Sequence, residues 1–333
     1  MTSAADLELA LLNDYQHDFP LCRSPFARIG EDLGVGETEV IEAYAALQGE
    51  GKVSRIGAVV APHTVGASLL AAMAVAPDSL ERVAALVSSY PEVNHNYQRD
   101  HTFNLWFVVA TSSRERLQAV LGEIESRCAT PVLRLPLERA FHIDLGFALG
   151  RGSPCRSAAP APDRAPASPL GLDPAFRPLL AALQGGLALS PHPYEVLGQT
   201  LGLAGNEVSA RIAELRSRGI FKRFGVVVRH HELGYTANAM VVHDIPADLT
   251  GPLGEALAKE PRVNLCYSRQ RDLPAWPYNL FCMIHGGERQ EVEAVVADIR
   301  RRHGLDRFPS AVLFSTRRFK QQGARYVQAG SPV

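Results

Sequence analysis

VNHNYQRDHTFNLW (93–106) returns in altered form as VNLCYSRQRDLPAWPYNLF (263–281). Asn94, Tyr97 and Arg99 pair with Asn264, Tyr267 and Arg269 at an offset of 170. Upstream, VSRIGAVVAPHTVG (53–66) is echoed by FKRFGVVVRHHELG (221–234), which pairs Arg55 and Gly57 with Arg223 and Gly225 at 168. Downstream, Pro131, Arg139 and Phe141 pair with Pro309, Arg317 and Phe319 at 178. Three blocks in one order with slowly growing offsets mark a duplicated and fused unit. The repeated residues are largely polar, which a packing core does not require, so they are the first place to look for function.

The rest of the chain bounds the answer. Its 333 residues allow about two domains, each with its own core. A hydrophobic content of 46% and a charged content of 21% describe an ordinary globular composition. The net charge of −1 supplies no global field for nucleic acid or anionic membrane. Four of the 34 basic residues are Lys and the rest are Arg, the side chain whose planar fork fits carboxylates. Five scattered Cys without CxxC spacing argue against a disulfide framework or a zinc site. The N-terminus lacks a basic signal-peptide region, and no apolar run approaches the ~18 residues of a membrane span. These readings lead us to expect a cytoplasmic protein with no metal site of its own.

Each half carries the same order of elements. A helix near 4–15 precedes SPFARIGEDLG, where Ser24 reads as an N-cap and Pro25 as the first helical residue. ETEVIEAYAALQGEG then forms a second helix with Val40, Ala43, Tyr44 and Leu47 on one face. SPHPYEVLGQTLGL and NEVSARIAELRSRG repeat this helix-turn-helix. A wing-like strand follows in each half, at 53–60 and 221–229, and then a β-α-β-β-α-β run. RGSPCRSAAPAPDRAPASP (151–169) has no period and reads as a linker at the joint. The expected domains are a helix-turn-helix at 1–62, a ferredoxin-like domain at 63–150, the linker at 151–169, a second helix-turn-helix at 170–230 and a second ferredoxin-like domain at 231–328. The fold class is α+β, two tandem winged helix-turn-helix plus ferredoxin-like βαββαβ units, and their sheets are expected to pack face to face.

That order is the architecture of the Lrp/AsnC proteins, which makes a transcription regulator, or a sensor of tetrapyrroles or amino acids, the alternative reading. A recognition helix needs basic side chains for phosphates. The first such helix instead carries Glu37, Glu39, Glu42 and Glu50. The second, with Arg211, Arg216 and Arg218, is better supplied but lacks a matching partner. Sequence-specific DNA binding is therefore not expected.

SYPEVNHNYQRDHTFNLWF resembles the signature of the siroheme decarboxylases, which share the Lrp/AsnC architecture. The first half resembles their D-type (NirD-like) subunit. The second, with RFGVVVRHHELGYTANAMVV and PAWPYNLFCMIHG, resembles the L-type (NirL-like) subunit. The resemblance covers nearly the whole chain outside the linker. It implies loss of the C12 and C18 acetate carboxylates of siroheme to give 12,18-didecarboxysiroheme, on the way to haem d1 or another haem. It implies siroheme as the partner, with no cofactor beyond that iron tetrapyrrole. It also admits NirG/NirH-like subunits and a homodimer.

Residue by residue, strand alternation places Val93, His95, Tyr97 and Arg99 on one face. A His-Tyr-Arg stripe suits the wall of a ligand pocket. In half two His95 becomes Leu265, and His101 has no counterpart. His95, Tyr97, Arg99 and His101 are the candidate catalytic group, with a His or Tyr as proton donor. Arg55, Arg139, Arg223 and Arg269 are candidates for carboxylates that survive the reaction, and Asn104, Trp106 and Tyr267 complete the expected binding set. His63 and His231 are weaker candidates, and sequence does not choose an iron ligand among these histidines.

Overall fold

The computed structural model describes residues 3–62, 64–143, 173–324 and 326. His63, the side chain of His231 and the 151–169 linker lie outside the described residues. The described residues of Met1–Val65 and Gly146–Leu233 form one compact unit, and those of Gly66–Leu145 and Gly234–Tyr326 form another.

The first unit gathers both helix-turn-helix segments. In half one these are α1 (Ala4–Asn13), α2 (Pro25–Leu33) and α3 (Glu37–Gly49), followed by β1 (Val53–Val60). Gly34 ends α2 in the left-handed region at φ 71°, where a side chain would be strained. Val40, Tyr44 and Leu47 form the buried face of α3. Ser24 does not cap α2 with its side chain; its hydroxyl lies 3.2 Å from Nδ1 of His192. His192 holds the matching position before Pro193 in half two, so the two helix starts contact each other instead of capping themselves.

Half two repeats the pattern after α4 (Leu80–Ser89) and α5 (Arg114–Cys128) of the other unit. Its helices are α6 (Arg177–Leu183), α7 (Pro193–Leu201) and α8 (Gly205–Ser217), followed by β7 (Phe221–Val228). Among the described residues the wing-like strands form no hairpins of their own. β1 pairs antiparallel with β7, with Gly57 opposite Gly225. A Cβ on Gly225 would lie 2.3 Å from the Gln16 carbonyl oxygen and 2.4 Å from that of Tyr15, so backbone contact explains this repeated glycine.

The second unit holds both ferredoxin-like runs. Half one supplies β2 (Ala67–Met73), β3 (Val93–Arg99), β4 (Leu105–Thr111), β5 (Leu133–Leu135) and β6 (Leu137–Ile143), with α4 and α5. Half two supplies β8 (Ala237–His243), β9 (Val263–Arg269), β10 (Leu280–Gly286) and β11 (Ser310–Gln321), with α9 (Ala247–Leu257) and α10 (Arg289–Arg302). The strand order is β5-β2-β4-β3-β11-β8-β10-β9-β6.

The halves exchange their last strands. The start of β11 pairs with β8 of its own half and its end pairs with β3 of the other. Half one does the same, with β5 on its own β2 and β6 on β9. Only Pro136 separates β5 from β6, so the two ends of the order are joined by the chain, a closure that protects strand edges from further pairing. Each half keeps a helix-side core, one around Val83, Val120 and Phe107, the other around Val241, Val292 and Ile284. The opposite faces share one core that includes Leu70, Trp106, Leu135, Met240, Phe281 and Leu313. The expected face-to-face packing of the two sheets is present, with exchanged strands at its seams.

Candidate functional site

β3 carries a bulge at Asn94. Val93 pairs with Val109, yet His95 pairs with Val108. One extra residue inverts the pleat beyond it. Val93 consequently packs in the helix-side core. Asn96 also faces the helices and donates to the Ala84 carbonyl at 3.1 Å and to Ser88 Oγ at 3.0 Å. His95, Tyr97 and Arg99 take the opposite face, so the expected stripe exists without Val93. β9 repeats the inversion, with Val263 and Cys266 in the helix-side core and Leu265 and Tyr267 toward the shared one.

Opposite the stripe runs the exchanged end of β11. Arg99 pairs with Ser315, Tyr97 with Arg318 and His95 with Gln321. Residues directly opposite in an antiparallel pair share a face. The corresponding ladder in half two pairs Arg269 with Leu137, Tyr267 with Ala140 and Leu265 with Ile143. One wall is therefore polar and its twin largely apolar. Tyr97 is half-buried and stacks on His95 at 6.2 Å between ring centroids. Tyr267 is buried, stacked on Phe281 at 5.6 Å with the Arg269 guanidinium 4.7 Å from its ring centre.

His101 lies on the turn that leaves this wall. Asp100 fixes the turn by accepting the Phe314 amide at 2.5 Å and Arg289 at 2.7 Å. His101 Nδ1 accepts the Phe103 amide at 3.0 Å, so in the neutral ring the proton sits on Nε2. Burial lowers its pKa, with Asp100 acting in the opposite direction. The ring meets Trp276 edge-on at 5.5 Å and stacks with Phe103 at 6.3 Å. Trp276 belongs to LPAWP (273–277), five residues that half two carries between Asp272 and Tyr278 and half one lacks, and this segment packs on the turn of half one.

Several other expected residues are placed in the framework. Arg99 is buried, which lowers its pKa to about 10, and its Nη1 donates to the Leu313 carbonyl at 2.8 Å. Arg269 does the same to Leu135 at 2.7 Å. Asn104 accepts the Val75 amide at 3.0 Å and donates to the Val75 carbonyl at 2.8 Å. Trp106 is 2% exposed and donates to the Phe103 carbonyl at 2.7 Å. Arg139 turns toward α9, pairing with Glu255 at 2.7 Å. Arg55 and Arg223 belong to the helix-turn-helix unit, where they donate to the carbonyls of Ala58 at 3.2 Å and Val226 at 3.0 Å.

The structure thus brings His95, Tyr97 and Arg99 onto one wall with His101 on the adjoining turn. Arg139, in the same unit, turns to Glu255 on α9 and not to that wall. The sequence reading missed Arg318, Gln321 and Trp276. The signal for the first two was available at the 178 offset, where Arg318 aligns with Ala140 and Gln321 with Ile143. Among the described residues no group of three or more His, Cys, Asp or Glu is placed to hold a metal ion.

Comparison with known proteins matches this geometry to a family. The AsnC-like ligand binding domain matches residues 65–142 and 232–320. The siroheme decarboxylase NirDL-like HTH domain matches 8–53 and 177–221. The siroheme decarboxylase NirDL subunit of Paracoccus denitrificans is 44% identical over 326 residues, 98% of this chain and 99% of that one. The siroheme decarboxylase of Hydrogenobacter thermophilus is 31% identical over 95% of this chain and 93% of its own length. A crystal structure of the siroheme decarboxylase NirDL in co-complex with an iron-uroporphyrin III analogue superposes with a TM-score of 0.69 at 27% identity, covering 97% of this chain and 94% of that one. With full-length identity at this level and the same duplicated architecture, the chain belongs to the NirDL family of siroheme decarboxylases.

Proposed function

We propose that the chain is a siroheme decarboxylase acting on the C12 and C18 acetate side chains to yield 12,18-didecarboxysiroheme. The observation that carries this reading at the level of residues is the one-sided wall of His95, Tyr97, Arg318 and Gln321, against Leu265, Tyr267, Ala140 and Ile143 in the other half. Family membership supplies the reaction class, and the polar wall supports placing its chemistry in half one.

When carbon dioxide leaves, the carbon–carbon bond breaks and its electron pair passes into the conjugated macrocycle. The new methyl carbon then takes a proton. The protein's task is to hold the ring, strip water from the scissile carboxylate and deliver that proton. His95 is half-buried beside Tyr97, and neutral His101 carries its proton on Nε2, so both suit a donor in this role. No cofactor beyond the substrate is invoked, and NirG/NirH-like subunits are candidate partners. No helix among the described residues is long and apolar enough to cross a membrane, in keeping with the proposed cytoplasmic location.

Anaerobic incubation of the pure protein with siroheme, followed by mass spectrometry, tests the reading. Loss of two carbon dioxide units supports it. Siroheme bound but unchanged favours a sensor built on the AsnC-like ligand binding domain.

A further inference from the structure

Repetition and divergence sort the arginines of the ferredoxin-like unit. Arg99 and Arg269 recur, and each donates to a carbonyl of the exchanged strand. Arg317 and Arg139 recur, and each reaches a glutamate on the helix side, Glu81 and Glu255. These repeated arginines are framework. Arg318 differs: its counterpart is Ala140, so the same strand exchange forms in half two without a cation at this position.

We propose that Arg318 is a substrate-carboxylate residue of the half-one wall, with no equivalent in half two. Its position opposite Tyr97 puts it on the same face as His95. It is exposed, whereas Arg99 beside it is buried. Its Nη1 donates to Gln321 Oε1 at 3.2 Å, which orients the guanidinium along the strand toward the level of His95. Gln321 is itself replaced by Ile143 in half two, so the cation and the residue that orients it are present together or missing together. A guanidinium fork binds a carboxylate through two parallel hydrogen bonds, and lysine does not reproduce that geometry. The ligand class is a polycarboxylate macrocycle, and Arg318 would grip a carboxylate that the reaction leaves in place. The identity of that macrocycle as siroheme rests on the proposed function.

Anaerobic titration of siroheme into the full chain, followed by its visible absorption, gives Kd for the parent, Arg318→Ala and Arg318→Lys. Parallel titrations use siroheme with its carboxyls esterified, and Arg301→Ala on α10 controls for loss of charge alone. A hydrogen-bonded charge pair is typically worth enough that Arg318→Ala should raise Kd about ten- to a hundredfold. Arg318→Lys should fall between, Arg301→Ala should match the parent, and the ester should bind all four proteins alike. Equal Kd values for siroheme in the parent and Arg318→Ala would overturn the proposal, as would an equal loss for the ester. Absence of siroheme binding by the parent overturns both readings. Turnover is scored separately: a parent that binds but never decarboxylates refutes the activity and leaves the carboxylate assignment to the Kd comparison.

Discussion

The Arg99 guanidinium donates to the carbonyl of Leu313 at 2.8 Å, and Arg269 repeats the bond to Leu135 at 2.7 Å. Donor and acceptor come from different halves in each case. The acceptor sits where the last strand passes from its own sheet to the other. These two arginines therefore latch the strand exchange.

Arg99→Ala should cost stability before it costs anything else. It leaves the Leu313 carbonyl without this donor at a buried seam, a loss of roughly 1.5–3 kcal/mol. Arg269→Ala should behave alike at Leu135. Urea unfolding of both variants checks this. Parent-like midpoints would mean the bonds contribute nothing and would return Arg99 to the candidate catalytic group.

Asn104 should likewise prove structural. It holds both backbone groups of Val75, and Asn279 holds both of Ile245 at 2.9 and 3.0 Å. Asn104→Ala deletes two hydrogen bonds and should lower stability by about 1–3 kcal/mol with little change in the siroheme Kd. A variant of parent stability with weakened siroheme binding would contradict that placement.

The duplication, the element order and the packing of the two sheets were legible because hydrophobic periodicity and the repeated blocks are local signals. The strand exchange was not, since residues 131–139 read equally well as one strand within one sheet. The bulge at Asn94 is equally silent in sequence, and it is what removes Val93 from the polar stripe. Repetition drew attention to Arg99, Asn104 and Arg139, yet their partners are backbone carbonyls or distant glutamates that no spacing reveals. The asymmetry at His95 was visible. The matching one at Arg318 was also visible at the 178 offset, but only the register of β11 against β3 sets it opposite Tyr97.

Acid should loosen the ferredoxin-like unit through His243. It is 2% exposed, and neither ring nitrogen has a hydrogen-bond partner among the described residues. Burial, aided by the positive Arg300, lowers its pKa from 6.5 to about 4. The unfolded chain takes up this proton first as pH falls. The contribution to stability is thus full above pH 6.5 and lost as pH drops toward 4, roughly 3 kcal/mol in all. Half one carries Met73 at the corresponding place in β2. His243→Met should flatten stability between pH 7 and 4, measured by urea unfolding at each pH. An unchanged pH slope would show that His243 is not the responsible group.

DNA binding should be weak and unspecific. The first turn of α3 carries Glu37 and Glu39. On the α8 side, Arg216 pairs with Asp18, and Arg218 pairs with Glu214 at 3.1 Å. These carboxylates compete with phosphates for the paired cations, so a salt titration of binding to duplex DNA should show a shallow slope and no sequence preference. A sequence-specific complex with a steep slope would revive the regulator reading.

Catalytic asymmetry gives the sharpest test, because each half supplies the other's control. His95→Leu installs the residue that half two already tolerates at position 265, so the fold should accept it. A general acid contributes about 10²–10⁴-fold in rate. If His95 delivers the proton, His95→Leu lowers kcat within that range while the siroheme Kd moves little. His101→Gln should do so if the donor is His101, whose Nε2 carries the proton in the neutral ring. The reverse exchange, Leu265→His, should leave the rate near the parent value because Ala140 and Ile143 leave that wall apolar. Tyr267→Phe should also be mild, since Tyr267 is buried against Phe281. Single-turnover decarboxylation of siroheme measures all four. Parent rates in both histidine variants, with turnover lost in Tyr267→Phe, would place the chemistry in the second half and refute the assignment to the first.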